Sequence, residues 1–424
     1  MAVAEELADR EQAAAARERD SAEGSRFAVP GSRVVYVGST DGMESGLVAR
    51  ESNLPFRGIA SAALRGRAPW TLARNIALIA CGTQQARRLI AEQRPGAILG
   101  TGGYVCVPLF LAARRAGVPT IIYLPDVVPG LAVRLLARLA TVVACNVEDS
   151  ATYFRLQIAD CRLQSQQSAI CNVQSAIYVV GYPVRRELFE QDKAACRAAF
   201  GLHDGLPVLF VYGGSRGARS INKAIAALLP HLLPLAQIIH VCGREGDETF
   251  LREAAARLPA ELQQRYKLYP YLFSSDNDKM TRWQGDKIRD KDVILSSGHL
   301  VTPSMARAFG AADLAVCRSG ASTMAELPAA KLPAVLVPYP YVHQDENADY
   351  LVQRGAAVKV ADAEMAGSGQ PEDGPLFHAI QRLLKHDDER QTMSERSAAL
   401  ARPDAVHCLT DLLLSIAQST EARP

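Results

Sequence analysis

Short, wholly apolar segments alternate with helical segments along almost the whole chain, and this alternation restricts the fold more than any other feature. Short apolar runs between turn residues are typical of strands in parallel sheets that helices cover on both faces. The predicted strands of the first half are 33–38, 96–100, 119–124, 141–146 and 177–181. Those of the second half are 207–214, 237–243, 266–272, 312–320, 333–340 and 356–360. The sequence therefore predicts an α/β fold with parallel sheets.

The predicted strands fall into two sets, joined by a charged helical stretch between residues 185 and 205. A chain of 424 residues is too long for one ordinary core and suits two domains. Two successive sets of alternating strands and helices predict two Rossmann-like domains.

Composition and charge indicate a globular protein and argue against a nucleic-acid partner. Hydrophobic residues make up 48% of the chain, and 47 basic residues nearly balance 45 acidic ones. Disordered chains are poorer in hydrophobic residues, and nucleic-acid-binding domains are strongly basic. The nine cysteines include no C-x-x-C pair, so we interpret them as reduced core residues. No apolar run reaches the roughly 20 residues of a membrane-spanning helix.

Two segments, 160–176 and 273–302, are polar and lack helical or strand periodicity. Loops of this length are uncommon inside compact domains. We therefore predict that both are surface insertions.

The strand that ends at Tyr212 runs into Gly213-Gly214-Ser215 before a helix begins. A helix N-terminus presents unpaired N–H groups and a partial positive charge, and glycines allow an anion to approach the backbone. The Ser215 hydroxyl adds a further donor. This pattern predicts a phosphate site, although a plain tight turn would show the same residues.

A second turn of this kind, "CRSGASTMAEL" (317–327), again links a strand to a helix. Ser322 is a candidate cap or ligand donor, and the Glu326 carboxylate can accept two hydrogen bonds from a ribose diol. Gln344 and Asn347 lie three residues apart on one predicted helical face, and their amides suit sugar hydroxyls. Because these groups follow neighbouring strands of one sheet, the sequence predicts a nucleotide-sugar site.

Several strings closely resemble the MurG glycosyltransferases. In the second half they are "GGSRGARSIN", "CRSGASTMAEL" and "HQDENADYL". In the first half they are "VYVGSTDGMESGLV", "LRGR", "GTGGYVCVP", "VPGLAVRLLAR" and "GYPVRREL", and "LARPDAVHCLTDLL" resembles the family's closing helix. The resemblance covers nearly all of the chain outside the two insertions. It implies a GT-B fold with an acceptor domain (1–185), a UDP-sugar domain (186–395) and a closing helix (396–424) that packs back on the first domain.

The family resemblance also implies an activity and a location. Members transfer N-acetylglucosamine from UDP-N-acetylglucosamine to undecaprenyl-pyrophosphoryl-N-acetylmuramyl-pentapeptide (lipid I), which yields lipid II for peptidoglycan. They invert the anomeric centre and use no metal or other cofactor. The implied location is peripheral, on the cytoplasmic face of the bacterial plasma membrane.

Carried over by motif, the resemblance assigns donor-binding roles. Ser215, with Gly214 before it, matches the family serine at the donor diphosphate, and Arg185 matches the arginine of a Gly-Asn-Pro-Val-Arg motif in which Tyr182 here replaces the asparagine. The remaining positions are Leu272 at the uracil edge, Glu326 at the ribose, and Gln344 and Asn347 at the N-acetylglucosamine, and Ser322 is counted among the donor-binding residues.

On the acceptor side, the turn Gly102-Gly103-Tyr104 matches a family turn near the lipid pyrophosphate. The family's first strand, its Gly-Gly-x-x-Gly-His turn and the histidine expected to act as base have no counterpart, since all eight histidines lie at position 203 or beyond. Asp126 is the carboxylate that follows the fourth strand, and it becomes the candidate base. We also expect in-frame codons upstream of Met1 to encode the strand and the turn.

Six arginines and no acidic residue lie between Arg57 and Ala91, interleaved with Trp70, Leu72 and Ile76. An apolar stripe ringed by arginines suits an anionic membrane surface. A buried helix with a basic outer face would give the same pattern, and the polyprenyl acceptor of the family favours the membrane.

Three alternative functions remain open. A diacylglycerol sugar transferase would share the donor motifs, although "LRGR" and "GTGGYV" favour the lipid I acceptor. A catalytically impaired UDP-sugar-binding protein is suggested by the missing histidine. A nucleotide-sugar epimerase would require a histidine in the first domain, which the sequence does not supply.

Overall fold

The computed structural model describes residues 2–10, 34–40, 42, 44–52, 54–62, 69–163, 177–203, 205–214, 217–272, 294–296, 299–301, 303–342, 344–367 and 369–421. The chain divides into two compact units. The first contains Met1–Pro183 and Asp404–Pro424, and the second contains Val184–Pro403. The first unit therefore takes its last helix from the end of the chain. The assignment of acceptor and donor to separate units stays a prediction.

The described helices and strands of the first unit follow in chain order: α1 (2–10), β1 (Tyr36–Ser39), α2 (Glu44–Glu51), β2 (Phe56–Ile59), α3 (Pro69–Gln93), β3 (Ile98–Gly100), α4 (Cys106–Ala116), β4 (Thr120–Leu124), α5 (Leu131–Ala137), β5 (Val142–Cys145), α6 (Glu148–Leu163), β6 (Ile177–Val179) and α16 (Ala405–Glu421).

The described strands of the first unit form two parallel sheets. One has four strands in the order β3-β4-β5-β6, and the other pairs β1 with β2. Both pack on α3 and α4, because Ile59 of β2, Ile90 of α3 and Ala112 of α4 share one apolar cluster against which Val37 and Ile98 pack. Among the described residues no strand bonds to both β1 and β3. The expected first strand upstream of Met1 stays a prediction.

Helix α16 covers the face of the four-stranded sheet that carries Ile121 and Tyr123. Leu409 of α16 lies in one buried cluster with these two residues, and Val3 of α1 packs against the same cluster. The Tyr123 side chain is 3% exposed, and its hydroxyl donates to the Gly181 carbonyl at 2.9 Å. Tyr123 is therefore a core residue of this unit.

The described helices and strands of the second unit follow in chain order: α7 (Lys193–Ala199), β7 (Val208–Tyr212), α8 (Arg219–Leu232), β8 (Gln237–Val241), α9 (Glu248–Ala256), α10 (Ala260–Gln263), β9 (Tyr266–Tyr269), β10 (Ile294–Ser296), β11 (His299–Val301), α11 (Met305–Ala311), β12 (Leu314–Cys317), α12 (Thr323–Ala329), β13 (Ala334–Leu336), α13 (Gln344–Gln353), β14 (Ala357–Lys359), α14 (Pro375–Lys385) and α15 (Asp387–Ala398), with 3-10 helices at Arg186–Leu188, Asp362–Glu364 and Pro371–Asp373.

The sheet of the second unit has six parallel strands in the order β14-β13-β12-β7-β8-β9. The chain runs outward from β7 through β8 to β9, and then returns to the other side of β7 to build β12, β13 and β14. The strand order therefore reverses between β7 and β12. In open α/β sheets, ligands bind outside the carboxyl ends of the strands at such a reversal. The topology places the two glycine turns of the sequence on either side of this point.

The two predicted insertions contain more regular structure than the sequence suggested. Helix α6 continues to Leu163, so the prediction of an irregular segment was wrong for 160–163. Inside 273–302, β10 and β11 form an antiparallel pair in which Ile294 lies opposite Val301. The string "VILSSGHLV" has strand formers on both sides of a Ser-Gly turn, which is a hairpin signal that the polar surroundings obscured. Residues 164–176 lie outside the described residues.

Asp313 joins β7, β12 and α7 at the amino edge of the second sheet. Its carboxylate accepts hydrogen bonds from the Val208 N–H at 2.7 Å, from Arg197 Nη2 at 2.6 Å and from Lys193 Nζ at 2.5 Å. Because Val208 is fully buried, its N–H has no access to solvent.

We expect Asp313→Ala to lower the free energy of unfolding by about 2–3 kcal/mol, because it leaves the buried Val208 N–H without an acceptor and removes the carboxylate partner of Arg197. Urea unfolding followed by far-UV circular dichroism measures the change. Glu248→Ala is the control, since the exposed pair with Arg252 contributes less than about 1 kcal/mol. Equal stability of the two variants would contradict this role for Asp313.

Candidate functional site

The turn between β7 and α8 requires glycine at three positions. Gly214 and Gly217 have φ of 83° and 84°, in the left-handed region that other residues rarely adopt. A Cβ on Gly213 would lie 2.3 Å from the Ala218 nitrogen, and one on Gly217 would lie 2.1 Å from the Cys242 carbonyl oxygen. Gly214 is exposed, and no atom lies within 4 Å of its ideal Cβ position. Gly213 and Gly217 are therefore closely packed, whereas Gly214 is exposed, and an exposed glycine next to a helix start suits an anion. Ser215 lies outside the described residues.

Glu326 lies in the first turn of α12, as the sequence predicted, and its side chain is half-buried. Ser322 Oγ donates a hydrogen bond to Glu326 Oε2 at 3.1 Å, and Thr323 Oγ1 donates to the Arg318 carbonyl. Ser322 therefore holds the carboxylate, and neither hydroxyl caps the helix. Burial raises the pKa of Glu326 above its ordinary value, while the hydrogen bond from Ser322 and the charge of Arg185 act in the opposite direction.

Arg185 enters the second unit immediately before a 3-10 helix, with an extended backbone at φ −65° and ψ 138°. Its Nη1 atom is buried and has no hydrogen-bond partner among the described residues. A buried guanidinium N–H without an acceptor is costly, so such a group is a feature of sites that receive an anion or a carbonyl. The structure thus brings together Arg185, Ser322 and Glu326 of the predicted donor residues.

The two predicted amide residues both lie on α13, but their side chains have different hydrogen-bond partners. The Gln344 side-chain oxygen accepts the Tyr339 N–H at 2.9 Å, and its amide nitrogen has no partner among the described residues. Asn347 is fully buried and donates to the Ser319 carbonyl at 3.1 Å. Ser319 Oγ in turn donates to the Gln344 carbonyl. Asn347 therefore holds the backbone of the turn after β12, whereas the Gln344 amide N–H groups are unpaired among the described residues.

Sequence reasoning missed Arg318, which ties together the strand ends around the site. Its Nη1 donates to the carbonyls of Val337 and Pro338 and to Asp362 Oδ1 at 3.0, 3.1 and 2.6 Å. Its Nη2 donates to Ser220 Oγ at 2.6 Å. One guanidinium therefore links the ends of β12 and β13, the segment after β14 and the start of α8. The sequence did contain an indication of this role, because Arg318 directly follows a buried strand and a charge buried at such a position must be paired.

Leu272 is buried and follows β9 at the same edge of the sheet. Beside it, the Arg244 guanidinium lies over the Tyr271 ring, 3.9 Å from the ring centre. Such a cation–aromatic contact contributes about 0.5–1 kcal/mol at an exposed site. Residues 273–293 lie outside the described residues, so the predicted uracil pocket stays a prediction.

In the first unit, Gly102 and Gly103 have φ of 97° and 80°, and Tyr104 is half exposed. The Gly102 carbonyl accepts a hydrogen bond from Cys106 Sγ at 2.8 Å, which anchors the turn to the start of α4. Asp126 follows β4 and is half-buried, and its main-chain carbonyl accepts the Ser150 hydroxyl at 3.0 Å. Both features thus lie beyond the carboxyl ends of neighbouring strands of one sheet.

The N-terminal half of α3 exposes large apolar side chains. Trp70 is 77% exposed, Ile76 is 54% exposed and Leu72 is 41% exposed, and Arg74 is exposed among them. By helical spacing, Trp70 and Arg74 lie on one side of α3 and Leu72 and Ile76 on the other, and we call these four residues the α3 patch. An exposed group of large apolar side chains is a feature of interaction surfaces. Arg65 and Arg67 lie outside the described residues.

Within the described ranges, no group of three or more His, Cys, Asp or Glu side chains is placed to hold a metal ion. None of the helices in the described part of the chain is long and apolar enough to span a bilayer.

Comparison with known proteins gives consistent matches along the chain. The N-terminal domain model of glycosyltransferase family 28 matches residues 22–145, and the C-terminal domain model matches residues 274–409. A crystal structure of Acinetobacter baumannii MurG has a TM-score of 0.61 at 23% identity, covering 90% of this chain and 91% of that one. This likeness concerns the fold alone, and it confirms the predicted GT-B fold with parallel sheets.

Proteins related in sequence show the family of the chain. A Roseiflexus sp. (strain RS-1) protein named UDP-N-acetylglucosamine--N-acetylmuramyl-(pentapeptide) pyrophosphoryl-undecaprenol N-acetylglucosamine transferase is 60% identical over 379 residues, which are 89% of this chain and 82% of that protein. A Desulforamulus reducens protein of the same name is 30% identical, covering 90% of this chain and 89% of its own length. Since both domain models match and a 60% identical relative spans most of the sequence, the chain belongs to glycosyltransferase family 28.

Proposed function

We propose that the protein transfers N-acetylglucosamine from UDP-N-acetylglucosamine to undecaprenyl-pyrophosphoryl-N-acetylmuramyl-pentapeptide, forming lipid II for peptidoglycan. Membership of the family and the names of the relatives support this activity. The observation that carries the proposal is the arrangement at the β7/β12 reversal, where an open glycine turn accompanies a held carboxylate and an unpaired guanidinium nitrogen.

The donor diphosphate lies on the Gly213–Gly217 turn in this proposal. Helix α8 begins at Arg219 and has no acidic residue in its first turn, so its N-terminal N–H groups favour an anion. When the bond from the sugar to the diphosphate breaks, negative charge develops on the departing UDP. N–H donors that are already in place stabilise that charge without reorganisation. Arg185 supplies a full positive charge near Glu326. In this proposal that charge also stabilises the departing UDP.

The rest of the donor is held through its hydroxyl groups. The Glu326 carboxylate accepts hydrogen bonds from the ribose diol, and Ser322 fixes its orientation. The Gln344 amide nitrogen, fixed through the Tyr339 N–H, donates to the N-acetylglucosamine. Asn347 contributes through Ser319, whose carbonyl it holds. Leu272 offers its backbone amide and carbonyl to the uracil edge.

On the first unit, the acceptor pyrophosphate lies on the Gly102-Gly103 turn. Helix α4 follows it and has no acidic residue in its first turn. Asp126 acts as general base, taking the proton from the acceptor hydroxyl as that oxygen attacks the anomeric carbon. The sugar is transferred with inversion, because one direct displacement replaces the diphosphate by the new oxygen.

The α3 patch holds the protein at the cytoplasmic face of the plasma membrane, where the lipid acceptor resides. Trp70, Leu72 and Ile76 enter the interface, and Arg74 attracts anionic headgroups. This location is peripheral.

Purified protein is expected to transfer radiolabelled N-acetylglucosamine to a lipid I analogue and not to diacylglycerol. Asp126→Asn should lower kcat by about 10²–10⁴-fold, the usual contribution of a general base, and leave donor affinity unchanged. Thin-layer chromatography of the lipid products measures transfer. Transfer to diacylglycerol, or donor binding without transfer to either lipid, would contradict the proposed function. Full activity of Asp126→Asn would remove Asp126 as the base.

Glu326→Ala should weaken UDP-N-acetylglucosamine binding by about 1–3 kcal/mol, the range for removing one partner of a charged hydrogen bond. Calorimetry measures the affinity. Only the ionised carboxylate accepts both ribose hydrogen bonds, and the pKa of Glu326 is raised. Wild-type affinity should therefore fall as pH falls toward that raised pKa, whereas Glu326→Gln should show a flat profile.

Glu253→Gln is the matched control, because this residue is exposed on α9 and should leave the affinity and its pH dependence as in the wild type. An affinity for the donor that does not change in Glu326→Ala would argue against the ribose assignment.

The double variant Trp70→Gln/Ile76→Gln should sediment less with vesicles of anionic lipids, since it removes the two most exposed side chains of the α3 patch. Arg74→Gln should reduce binding by about 1 kcal/mol, and high salt should mimic it. Arg252→Gln, an exposed arginine on α9, is the control. Vesicle binding of the double variant equal to that of the wild type would show that the α3 patch does not contact the membrane.

A further inference from the structure

A series of hydrogen-bonded, buried polar side chains leads to the Cys242 carbonyl, which lies against Gly217. Tyr266 at the start of β9, His240 on β8, Asn222 on α8 and Asp247 before α9 are each at most 9% exposed. His240 Nδ1 lies 2.8 Å from the Tyr266 hydroxyl, and its Nε2 lies 2.9 Å from Asn222 Oδ1. Four elements of the second unit are thus joined through one imidazole and one amide.

The direction of each hydrogen bond between Tyr266 and Asp247 follows from which atoms can donate and which can accept. Asn222 Nδ2 donates to the Cys242 carbonyl at 2.8 Å and to Asp247 Oδ2 at 2.9 Å, so Asn222 Oδ1 is an acceptor. His240 Nε2 must then carry the proton, and Nδ1 accepts from the Tyr266 hydroxyl. Burial lowers the pKa of His240 to about 3, so the ring stays neutral. The series runs from Tyr266 to Asp247 with every donor matched to an acceptor.

Asn222 also binds the Cys242 carbonyl oxygen, the atom that lies against Gly217. The Cys242 carbonyl oxygen accepts from Asn222, and it also lies against Gly217, where an added Cβ would be only 2.1 Å away. Asn222 belongs to the first turn of α8, whose Arg219 faces Asp247 Oδ1 at 3.4 Å. The Asn222 amide holds the Cys242 carbonyl, and this carbonyl limits how closely Gly217 can approach β8.

We propose that Asn222 and His240 are positioning residues for the donor diphosphate, which fix Gly217 and the start of α8 in the geometry that binds it. This inference rests on the proposed function, since it assigns a role toward UDP. Neither side chain contacts the ligand. They act through the Cys242 carbonyl and the start of α8, which sets the directions of the N–H groups that the phosphates meet.

Three variants of the full chain test the proposal, with the UDP dissociation constant from calorimetry as the readout. Asn222→Asp replaces the donor amide by an oxygen facing the Cys242 carbonyl and Asp247, and it should weaken UDP binding about tenfold. His240→Gln keeps a nitrogen donor near the Nε2 position and should bind UDP within about threefold of the wild type. His240→Asn loses that donor and should bind about tenfold more weakly. The last two remove the same ring, so their difference reports the hydrogen bond to Asn222.

Gln237→Leu separates positioning from stability. This buried amide lies at the other end of β8, where it bonds both backbone groups of His203 at 2.8 and 2.7 Å. Its loss should lower the thermal midpoint and leave UDP affinity unchanged. Equal UDP affinity of His240→Asn, His240→Gln and the wild type would overturn the inference, as would a loss in Gln237→Leu as large as in His240→Asn. A wild-type protein that does not bind UDP would overturn the proposed function and this inference with it.

Discussion

The close approach of Gly217 to the Cys242 carbonyl is the constraint on which the proposed donor site depends. It holds Gly217, two residues before α8 begins, against the end of β8, and the first turn of a helix presents backbone N–H groups that have no partner within the helix. No side chain fits at this contact, and the left-handed φ of Gly214 and Gly217 excludes most other residues for a second reason. The "GGSRG" string is therefore a geometric requirement of the fold as well as a chemical feature of the site.

The second determinant is electrostatic. Glu326 is held by Ser322 in a place where burial disfavours its charge, and Arg185 compensates only in part. The Arg185 Nη1 atom lacks a partner among the described residues, so the site carries an unsatisfied cost until a ligand arrives. A ligand with both hydroxyl donors and an anionic group would relieve both residues at once. A nucleotide diphosphate has this combination, which explains why the two residues support one function.

Much of the fold was predictable because it depends on local patterns. The apolar runs located β1, β3–β9 and β12–β14, and the glycine turns and Glu326 were found because they follow those strands directly. Strand β2 was missed because "FRGI" is short, contains Arg and Gly, and exposes its two central residues. The β10–β11 hairpin was hidden by its polar surroundings.

The supporting polar residues could not be predicted from the sequence. Arg318, Asn222 and His240 act through partners 18 to 98 positions away along the chain. Their roles depend on the strand order β14-β13-β12-β7-β8-β9, which brings these partners together and which periodicity does not reveal. Ser322 was a candidate cap or ligand donor in the sequence, and in the structure its hydroxyl donates to Glu326, four residues further along the same segment.

A crystal structure of the protein with UDP-N-acetylglucosamine tests the central claim most directly. The account predicts the diphosphate on the Gly213–Gly217 turn and both ribose hydroxyls within hydrogen-bond distance of the Glu326 carboxylate. It further predicts that Arg185 Nη1 gains a partner in the complex. A nucleotide bound away from the β7/β12 reversal, with Glu326 and Arg185 unchanged, would contradict it.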